Sequence, residues 1–346
     1  MSAMTEPASP ADPPHALTLA QIAELAGVST ATVSKVLNGR TEVAPATRTL
    51  VEGLIRRHGY RRQKKRPKAA ALIEVAFHEM DGPCAIEIIK GVQRVARENH
   101  LAVVLSEMRE RPTPPRGWVE EVLSRRSCGV IAIFCELTDA QRAQLRTRDI
   151  PVVLVDPAGA PNRVPSVGAG NWSGGLAATR HLLDLGHRRI AIITGAPHVL
   201  SSRARLDGYR AAMDAAGVPV DPALVVAGDF DVAEGLAHAR ALLALPDPPT
   251  AVFAGNDATA VGVYQAADQA GVRIPHDLSV VGFDDLPMAQ WLVPPLTTIR
   301  QPLTDMAAAA TGMLVALMDG GRPPQTRLEF TTQLVTRRST APPAAG

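Results

Sequence analysis

Four side chains within residues 30–37 are suited to contacts with nucleic acid. On a helix they share the face opposite the apolar side chains, and they are Thr30, Ala31, Ser34 and Lys35. Short hydroxyl groups and a single ammonium group can bond the base edges and phosphates of a DNA major groove. The pattern predicts a helix that reads DNA; the alternative is a protein-docking bundle with an incidentally basic face.

Capping signals predict three helices around this segment. Thr18 and Gln21 have the spacing of a capping box, which begins a first helix, and Gly27 is suited to end it. Ser29 is a good N-cap for the second helix, and Pro45 suits the first position of a third. Two short helices that are joined by a tight turn and packed on a third form a helix-turn-helix domain.

The net charge of +2 conceals an uneven distribution of charged residues. Residues 1–68 carry 11 Lys and Arg against 5 Asp and Glu, or +6, whereas the rest of the chain carries 25 against 29, or −4. A basic segment on a slightly acidic body is typical of a chain whose basic part meets a polyanion. Together with the helix-turn-helix pattern, this distribution indicates double-stranded DNA as a partner.

Composition is that of a globular protein with two or three domains. Hydrophobic residues make up 46% and charged residues 20% of 346 residues, which excludes global disorder. No apolar run reaches the ~18 residues of a membrane span, and the first sixteen residues do not resemble a signal peptide. We therefore expect a cytoplasmic protein without a membrane partner, associated with the nucleoid when it binds DNA.

Motifs of catalysis and metal binding are missing from the sequence. It contains no Gly-x-Ser-x-Gly elbow, no His-Glu-x-x-His and no Walker loop. The glycines at 168, 170, 174 and 175 are expected in strand–helix turns and lack the spacing of a dinucleotide loop. Three cysteines without a Cys-x-x-Cys pair argue against a zinc site. We expect neither an enzyme nor a cofactor or metal.

From residue 69 onward, short apolar runs alternate with amphipathic stretches. Examples of the runs are residues 71–77, 129–134 and 278–283. This alternation predicts an α/β core of parallel sheets with helices on both faces. The number of runs requires two sheets, and hence two lobes. Such sheets bind ligands outside the carboxyl ends of their strands, so we expect a ligand cleft between the lobes.

Residues 17–38, with Val43, Thr47 and Arg48, closely resemble the DNA-binding domain of the lactose-repressor (LacI/GalR) family. Core segments such as Val281-Gly-Phe-Asp-Asp285 and Pro294-Pro-Leu-Thr-Thr298 follow in that family's order, so the resemblance covers about residues 17–340. It implies a two-lobed core of the periplasmic-binding-protein type 1 fold. It also implies a ligand-responsive transcriptional regulator, usually a repressor, that reads a pseudo-palindromic operator as a homodimer.

The resemblance also sets the expected boundaries. The segments are a disordered tail at 1–16, the helix-turn-helix domain at 17–60, a basic linker at 61–68, the core at 69–340 and a tail at 341–346. Within the core, we expect lobe 1 at about 69–165 and 298–328, and lobe 2 at about 166–297 and 329–340. The C-terminal residues cannot form the coiled coil by which the lactose repressor tetramerises, so a dimer is expected.

By the same resemblance, Thr30, Ala31 and Lys35 match positions that read operator bases. Positions that contact the DNA backbone or cap helices are matched by Thr18, Thr32, Ser34, Asn38, Thr47 and Arg48. This chain departs from the family in its linker, where residues 61–68 carry six basic residues and no Leu to wedge into the minor groove. We interpret the linker as an extended arm that grips DNA; a solvated linker is the alternative.

In the core, Arg205 and Asp284 match the family's effector-binding positions. A guanidinium and a carboxylate that converge on one cleft can bond vicinal hydroxyls, and Phe230 matches a position that stacks on the ligand's flat face. The further expected contacts are His78, Glu79, Asp81, Phe134, Asn171, Trp172, Ser201, Asn256 and Trp291. A mono- or disaccharide fits this set, although a flat aromatic acid would also fit. For Asp156 and Asp257, a ligand contact and a cap or hinge hydrogen bond are equally open.

Two other functions are consistent with parts of the sequence. A solute-binding receptor would explain the core, but it would need export and would have no use for the DNA-binding domain. An effector-independent DNA-binding protein would explain that domain, but not the pairing of Arg205 with Asp284. Whether the effector releases or promotes DNA binding is left open by the residues, although the resemblance favours release.

The basic arm has a measurable consequence for DNA affinity. Replacing Lys64, Lys65 and Arg66 with Ala should reduce the slope of log affinity against log salt concentration by up to about 2.7, because each phosphate contact contributes ~0.9. Fluorescence anisotropy on operator DNA over a range of salt concentrations measures this slope. An unchanged slope would show that the segment is only a solvated linker.

Overall fold

The computed structural model describes residues 18–37, 42–58, 71–78, 80, 82, 84–108, 113–115, 117–160 and 164–344. These residues belong to two compact units, residues 1–69 and 70–346. Asn38, Glu79, Asp81, the tail at 1–16 and the linker at 61–68 lie outside the described residues. Where the chain is described, no helix is long and apolar enough to cross a bilayer.

The first unit holds the three predicted helices. They are α1 (Leu19–Leu25), α2 (Thr30–Leu37) and α3 (Pro45–Arg57). The capping box is formed at the start of α1, where the Thr18 hydroxyl accepts from the Gln21 N–H at 3.3 Å and Gln21 Oε1 accepts from the Thr18 N–H at 2.8 Å. A small core of Ile22, Val33 and Val51, all fully buried, packs the three helices together. Their apolar positions leave the opposite face of α2 in solvent.

The second unit is built on two six-stranded sheets. The first sheet has the order β11 (Arg327–Phe330), β5 (Ser166–Ala169), β4 (Val152–Val155), β3 (Gly129–Ile133), β1 (Ala71–Phe77), β2 (Leu101–Glu107). The second has the order β12 (Gln333–Val335), β10 (Thr297–Arg300), β9 (Ser279–Asp284), β8 (Ala251–Ala254), β6 (Ile190–Thr194), β7 (Val225–Ala227). All neighbouring strands are parallel except the antiparallel pair β10 and β12.

Helices cover the sheets and complete two lobes. Those in lobe 1 are α4 (Ala85–Glu98), α5 (Trp118–Ser124), α6 (Asp139–Thr147) and α12 (Leu303–Met318). Those in lobe 2 are α7 (Asn171–Asp184), α8 (Leu200–Ala215), α9 (Val232–Leu243), α10 (Asp257–Ala270) and α11 (Met288–Trp291). Apolar strand residues such as Ile131 and Phe253 are fully buried beneath them. The predicted α/β core of two lobes flanked by helices is thus what the structure contains.

Within residues 164–344 the chain crosses between the lobes three times, and each crossing follows a completed strand. Strands β5, β10 and β11 end at residues 169, 300 and 330. The expected boundaries near 165, 298 and 328 are therefore a few residues early. The reason is pairing: β5 continues in register with β11 through Ala169, and β10 continues in register with β9 through Arg300.

Two glycines bring α7 and α8 into close contact. A Cβ at Gly208 would lie 2.2 Å from the Trp172 carbonyl oxygen, and a Cβ at Gly175 would lie 2.3 Å from the Arg205 carbonyl oxygen. Gly174 and Gly175 lie inside α7, so their assignment to a strand–helix turn was wrong. Helix α7 starts at Asn171, directly after Gly170, so both glycines fall within its first turns. The glycines are needed for backbone approach rather than for a turn.

Because α7 and α8 are in such close contact, adding one methyl group at Gly208 should destabilise the protein. Gly208→Ala should lower the free energy of unfolding by about 1–3 kcal/mol, because the helix backbones cannot separate without disturbing the lobe 2 core. Gly312→Ala is the matched control: it lies exposed in α12 with nothing within 4 Å of its Cβ position. That change should be neutral or stabilise by up to about 1 kcal/mol. Equal thermal midpoints for the two variants would contradict the close contact.

Candidate functional site

A cavity of about 560 Å³ lies between the two lobes at the carboxyl ends of their strands. Lobe 1 contributes His78, Cys84, Phe134 and Asp156. Lobe 2 and the crossing after β10 contribute Ser201, Arg205, Phe230, Asn256, Asp284 and Gln301. Because both lobes line the cavity, a ligand held here contacts both of them. The position at the carboxyl ends of the strands is the one expected for parallel sheets.

Four of the lining residues have left-handed backbone conformations. The φ angles are 54° at Phe134, 42° at Asp156, 65° at Phe230 and 112° at Asp284. For residues with a Cβ, such conformations cost of order 1–3 kcal/mol each and persist where the surrounding structure enforces them. Their concentration around one cavity indicates that the strand ends are shaped to turn these side chains toward a ligand.

Arg205 is held in the cavity wall by a set of fixed contacts. This α8 residue is 5% exposed, and its Nε donates to Asn171 Oδ1 at 2.9 Å. Its Nη1 donates to the Gly255 carbonyl oxygen at 2.6 Å, and its Nη2 lies 3.8 Å from Asp284 Oδ1. The guanidinium also stacks 3.7 Å above the ring of Phe283. These contacts compensate a buried positive charge and leave the guanidinium with little freedom.

Asp284, at the end of β9, receives hydrogen bonds from both sides of the cavity. Gln301 Nε2 donates to Oδ1 at 2.5 Å, and the Cys84 thiol of lobe 1 lies 3.5 Å from Oδ2. Burial raises the pKa of Asp284, while the positive charge of Arg205 opposes that rise. Burial and the neighbouring Asp284 carboxylate raise the pKa of the Cys84 thiol. Cys84 is therefore a protonated donor across the cleft at neutral pH.

Asp156 directly follows β4 and is buried, but within the described part of the chain only one of its two carboxylate oxygens accepts a hydrogen bond. Its Oδ1 accepts from Asn171 Nδ2 at 3.2 Å, whereas its buried Oδ2 has no hydrogen-bond partner among the described residues. Burial raises the pKa of Asp156 from 3.8 to about 6, with Arg205 opposing the shift and Asp284 contributing to it. Asn171 joins this carboxylate to Arg205, so one amide positions both charged groups.

Phe230 is seated where two glycines leave room for its ring. A Cβ at Gly195 or Gly255 would lie 2.1 Å or 2.8 Å from ring atoms. The Phe230 carbonyl oxygen accepts from Asn256 Nδ2 at 2.8 Å, and Asn256 also caps α10 through Thr259 N–H. The ring is thereby fixed at the cavity wall, 5.2 Å from the Arg205 guanidinium.

Not every residue expected from the sequence lies at the cavity. Trp172 projects from α7 with 46% exposure, and Trp291 at the end of α11 is 76% exposed; neither lines it. Asn171 lies behind Arg205 as a positioning residue. Asp257 does not line the cavity, and its carboxylate accepts from Thr298 Oγ1 at 2.6 Å and from Leu286 N–H at 2.8 Å.

The lining residues that the sequence analysis did not anticipate include Cys84 and Gln301. Gln301 directly follows β10 at the second crossing between the lobes, a position that a strand-end search could have found. Cys84 precedes α4, and its closeness to Asp284 joins residues 200 positions apart in the chain. No local pattern signals such a contact.

In the first unit, the outer face of α2 presents the predicted polar side chains. Thr30, Ala31 and Lys35 are exposed, whereas Thr32 and Ser34 are half-buried. Lys35 pairs with Glu42 at 2.9 Å, but both side chains are more than half exposed, so the pair is weak and can open for a phosphate or base. Thr47 and Arg48 lie half-buried in the first turn of α3.

The unsatisfied carboxylate of Asp156 predicts a stability gain on its neutralisation. The folded protein holds the proton of Asp156 more tightly than the unfolded chain does, because the pKa is raised from 3.8 to about 6 on folding. The stability that the protonated group contributes is therefore complete below about pH 4 and is lost as the pH rises through 6. Asp156→Asn should therefore raise the free energy of unfolding at pH 7.5 by about 1–3 kcal/mol, with little difference at pH 4.

Asp207→Asn is the matched control for this prediction. Asp207 lies exposed on α8, where it pairs with Arg210, so its neutralisation should leave stability nearly unchanged at both pH values. Thermal unfolding of the three proteins at pH 4 and pH 7.5 measures these effects. A lower midpoint for Asp156→Asn at pH 7.5 would contradict the burial of an uncompensated carboxylate.

Comparison with known proteins places this architecture among bacterial regulators. A model of bacterial regulatory proteins of the lacI family matches residues 18–63, and a periplasmic binding protein-like domain model matches residues 179–340. The ribose operon repressor of Escherichia coli (strain K12) is 35% identical over 332 residues, which cover 93% of this chain and 99% of that protein.

Solved structures agree along nearly the whole chain. The transcriptional regulator CelR–cellobiose complex has a TM-score of 0.70 at 32% identity, covering 93% of this chain and 99% of that one. The lac repressor dimer bound to operator and the anti-inducer ONPF has a TM-score of 0.69 at 27% identity, covering 94% and 99%. The predicted fold class and family resemblance are confirmed: this protein belongs to the lacI family of bacterial regulatory proteins.

Proposed function

We propose that this protein is a transcriptional repressor whose binding to operator DNA is controlled by a carbohydrate in the cavity between the lobes. The observation that carries the proposal is the fixed set of Arg205, Asp156 and Asp284 around Phe230 at the junction of two bodies. The relatives support it, since they include a repressor named for the ribose operon and a regulator bound to cellobiose.

The chemistry of the cavity favours a polyhydroxy ligand. Carboxylates at Asp156 and Asp284 accept hydrogen bonds from hydroxyls, and Arg205 donates to ring or hydroxyl oxygens. The fixed ring of Phe230 offers an apolar surface for the C–H face of a sugar. Besides these residues, the effector contacts that we propose are His78, Phe134, Ser201, Asn256, Gln301 and Cys84. A mono- or disaccharide satisfies this combination.

The DNA-binding surface is the exposed face of α2 together with the first turn of α3. Thr30, Ala31 and Lys35 would contact base edges in the major groove, and Thr47 and Arg48 would contact phosphates. In a homodimer, two such domains would read the halves of a pseudo-palindromic operator, because the symmetry of the site reflects that of the protein. The protein would lie in the cytoplasm and on the nucleoid when bound to operator.

Control by a ligand follows from contacts that join the two lobes. Cys84 of lobe 1 meets Asp284 of lobe 2, and Asp156 of lobe 1 meets Asn171 at the start of α7. A sugar that replaces or bridges these contacts favours one arrangement of the lobes over another. If DNA binding favours a different arrangement, the two ligands oppose each other. Release of operator by the sugar is the polarity that we propose.

The response to sugar can be separated from DNA binding by substitution. With operator DNA in fluorescence anisotropy, the wild-type protein should dissociate when the correct sugar is added. Phe230→Ala should bind DNA normally but need at least about tenfold more sugar, because the aromatic surface is lost from the cavity. Trp172→Ala is the matched control and should respond as the wild type does, since Trp172 does not line the cavity.

Two results of this experiment would contradict the proposed function. DNA binding that no sugar changes in the wild-type protein would favour an effector-independent DNA-binding protein. A response lost in Trp172→Ala but kept in Phe230→Ala would place the sugar elsewhere than in this cavity.

A further inference from the structure

The charges around the cavity are strongly unbalanced. Carboxylates of Asp156 and Asp284 line its buried part, and those of Asp229 and Asp231 line its exposed rim. Against these four stands Arg205, the only Lys or Arg among the described residues that line the cavity; the lining also contains His78 and His198. An anion that enters would meet net negative charge both at the rim and at the base.

Arg205 is poorly placed to compensate a negatively charged ligand. Two of its three nitrogens already donate to Asn171 and to the Gly255 carbonyl oxygen. Its third nitrogen faces the carboxylate of Asp284 at 3.8 Å. The positive charge is therefore largely neutralised within the protein, and no second fixed cation lines the described part of the cavity to replace it.

Two of the polar atoms at the cavity are buried acceptors with unused hydrogen-bonding capacity. Asp156 Oδ2 and Gln301 Oε1 are buried and have no hydrogen-bond partner in the part of the chain that is described. Both residues line the cavity and are more than nine-tenths buried, at 7% and 6% exposure. The Gln301 amide donates to Asp284, which assigns its free oxygen as the acceptor. Buried acceptors without partners favour a ligand that brings hydrogen-bond donors.

We infer that the cavity selects an uncharged polyhydroxy sugar and discriminates against sugar acids, sugar phosphates and aromatic acids, with Asp156 and Gln301 accepting from its hydroxyl groups. The inference rests on the proposed function and narrows the class of its effector. An anionic group would lose hydration and gain repulsion from Asp156, whereas a hydroxyl would satisfy the open oxygen. The same charges exclude the flat aromatic acid that the aromatic residues alone would permit.

Matched ligands test this selection on the full-length protein. Isothermal titration calorimetry at pH 7.5 would compare glucose with glucuronate and glucose 6-phosphate, galactose with galacturonate, ribose with ribose 5-phosphate, and cellobiose and benzoate as further probes. We expect a neutral sugar to bind, and its acid or phosphate derivative to bind at least about tenfold more weakly, because like charges at short range repel strongly in a buried site.

A charge-neutral variant distinguishes repulsion from a simple limit on ligand size. The gap in affinity is the ratio of the dissociation constants of the charged derivative and the neutral sugar. In Asp156→Asn this gap should narrow by about tenfold or more, since one buried negative charge is removed. Asp207→Asn is the control: this exposed α8 residue pairs with Arg210 outside the cavity, and its removal should leave the gap unchanged. An unchanged gap in Asp156→Asn would overturn the electrostatic cause.

The failures of the two proposals are distinguishable. A charged derivative or benzoate that binds as tightly as any neutral sugar overturns the selection but leaves a ligand-controlled repressor intact. A protein that binds operator DNA and none of these compounds, whatever their charge, contradicts the proposed carbohydrate control itself and the selection with it.

Discussion

The burial of one positive charge organises the ligand site of this protein. Arg205 lies almost fully inside the core, so its guanidinium requires acceptors that cannot move away, and these come from Asn171, Gly255 and Asp284. Its position depends in turn on Gly175, which lets the α8 backbone approach α7 at the Arg205 carbonyl oxygen. The close packing of α7 on α8 therefore also fixes the position of Arg205 in the ligand site.

The same site retains features that do not favour folding. Asp156 keeps a buried oxygen without a partner, and strand-end residues such as Phe230 and Asp284 adopt left-handed backbone conformations. Each of these lowers stability and is supported by the surrounding sheets. A ligand that supplies the missing hydrogen bond to Asp156 would bind more tightly, because the protein has already lost that free energy on folding.

Local signals were sufficient for the DNA-binding unit, whereas the ligand site required tertiary structure. The Thr18 capping box and the two faces of α2 are properties of neighbouring residues, and the strand–helix alternation correctly predicted two lobes. Sequence could not show that Trp172 points away from the cavity, since helical phase at the start of α7 decides its direction. Nor could it show that Cys84 meets Asp284, a contact set by how the lobes close.

Reciprocal coupling is the central claim, and it has a direct measurement. The affinity of the sugar should be determined by calorimetry for the free protein and for the protein saturated with operator DNA. If the two ligands favour different lobe arrangements, operator will weaken sugar binding by the same factor by which the sugar weakens operator binding. Equal sugar affinities with and without operator would show that the cavity and the DNA-binding domain are not coupled.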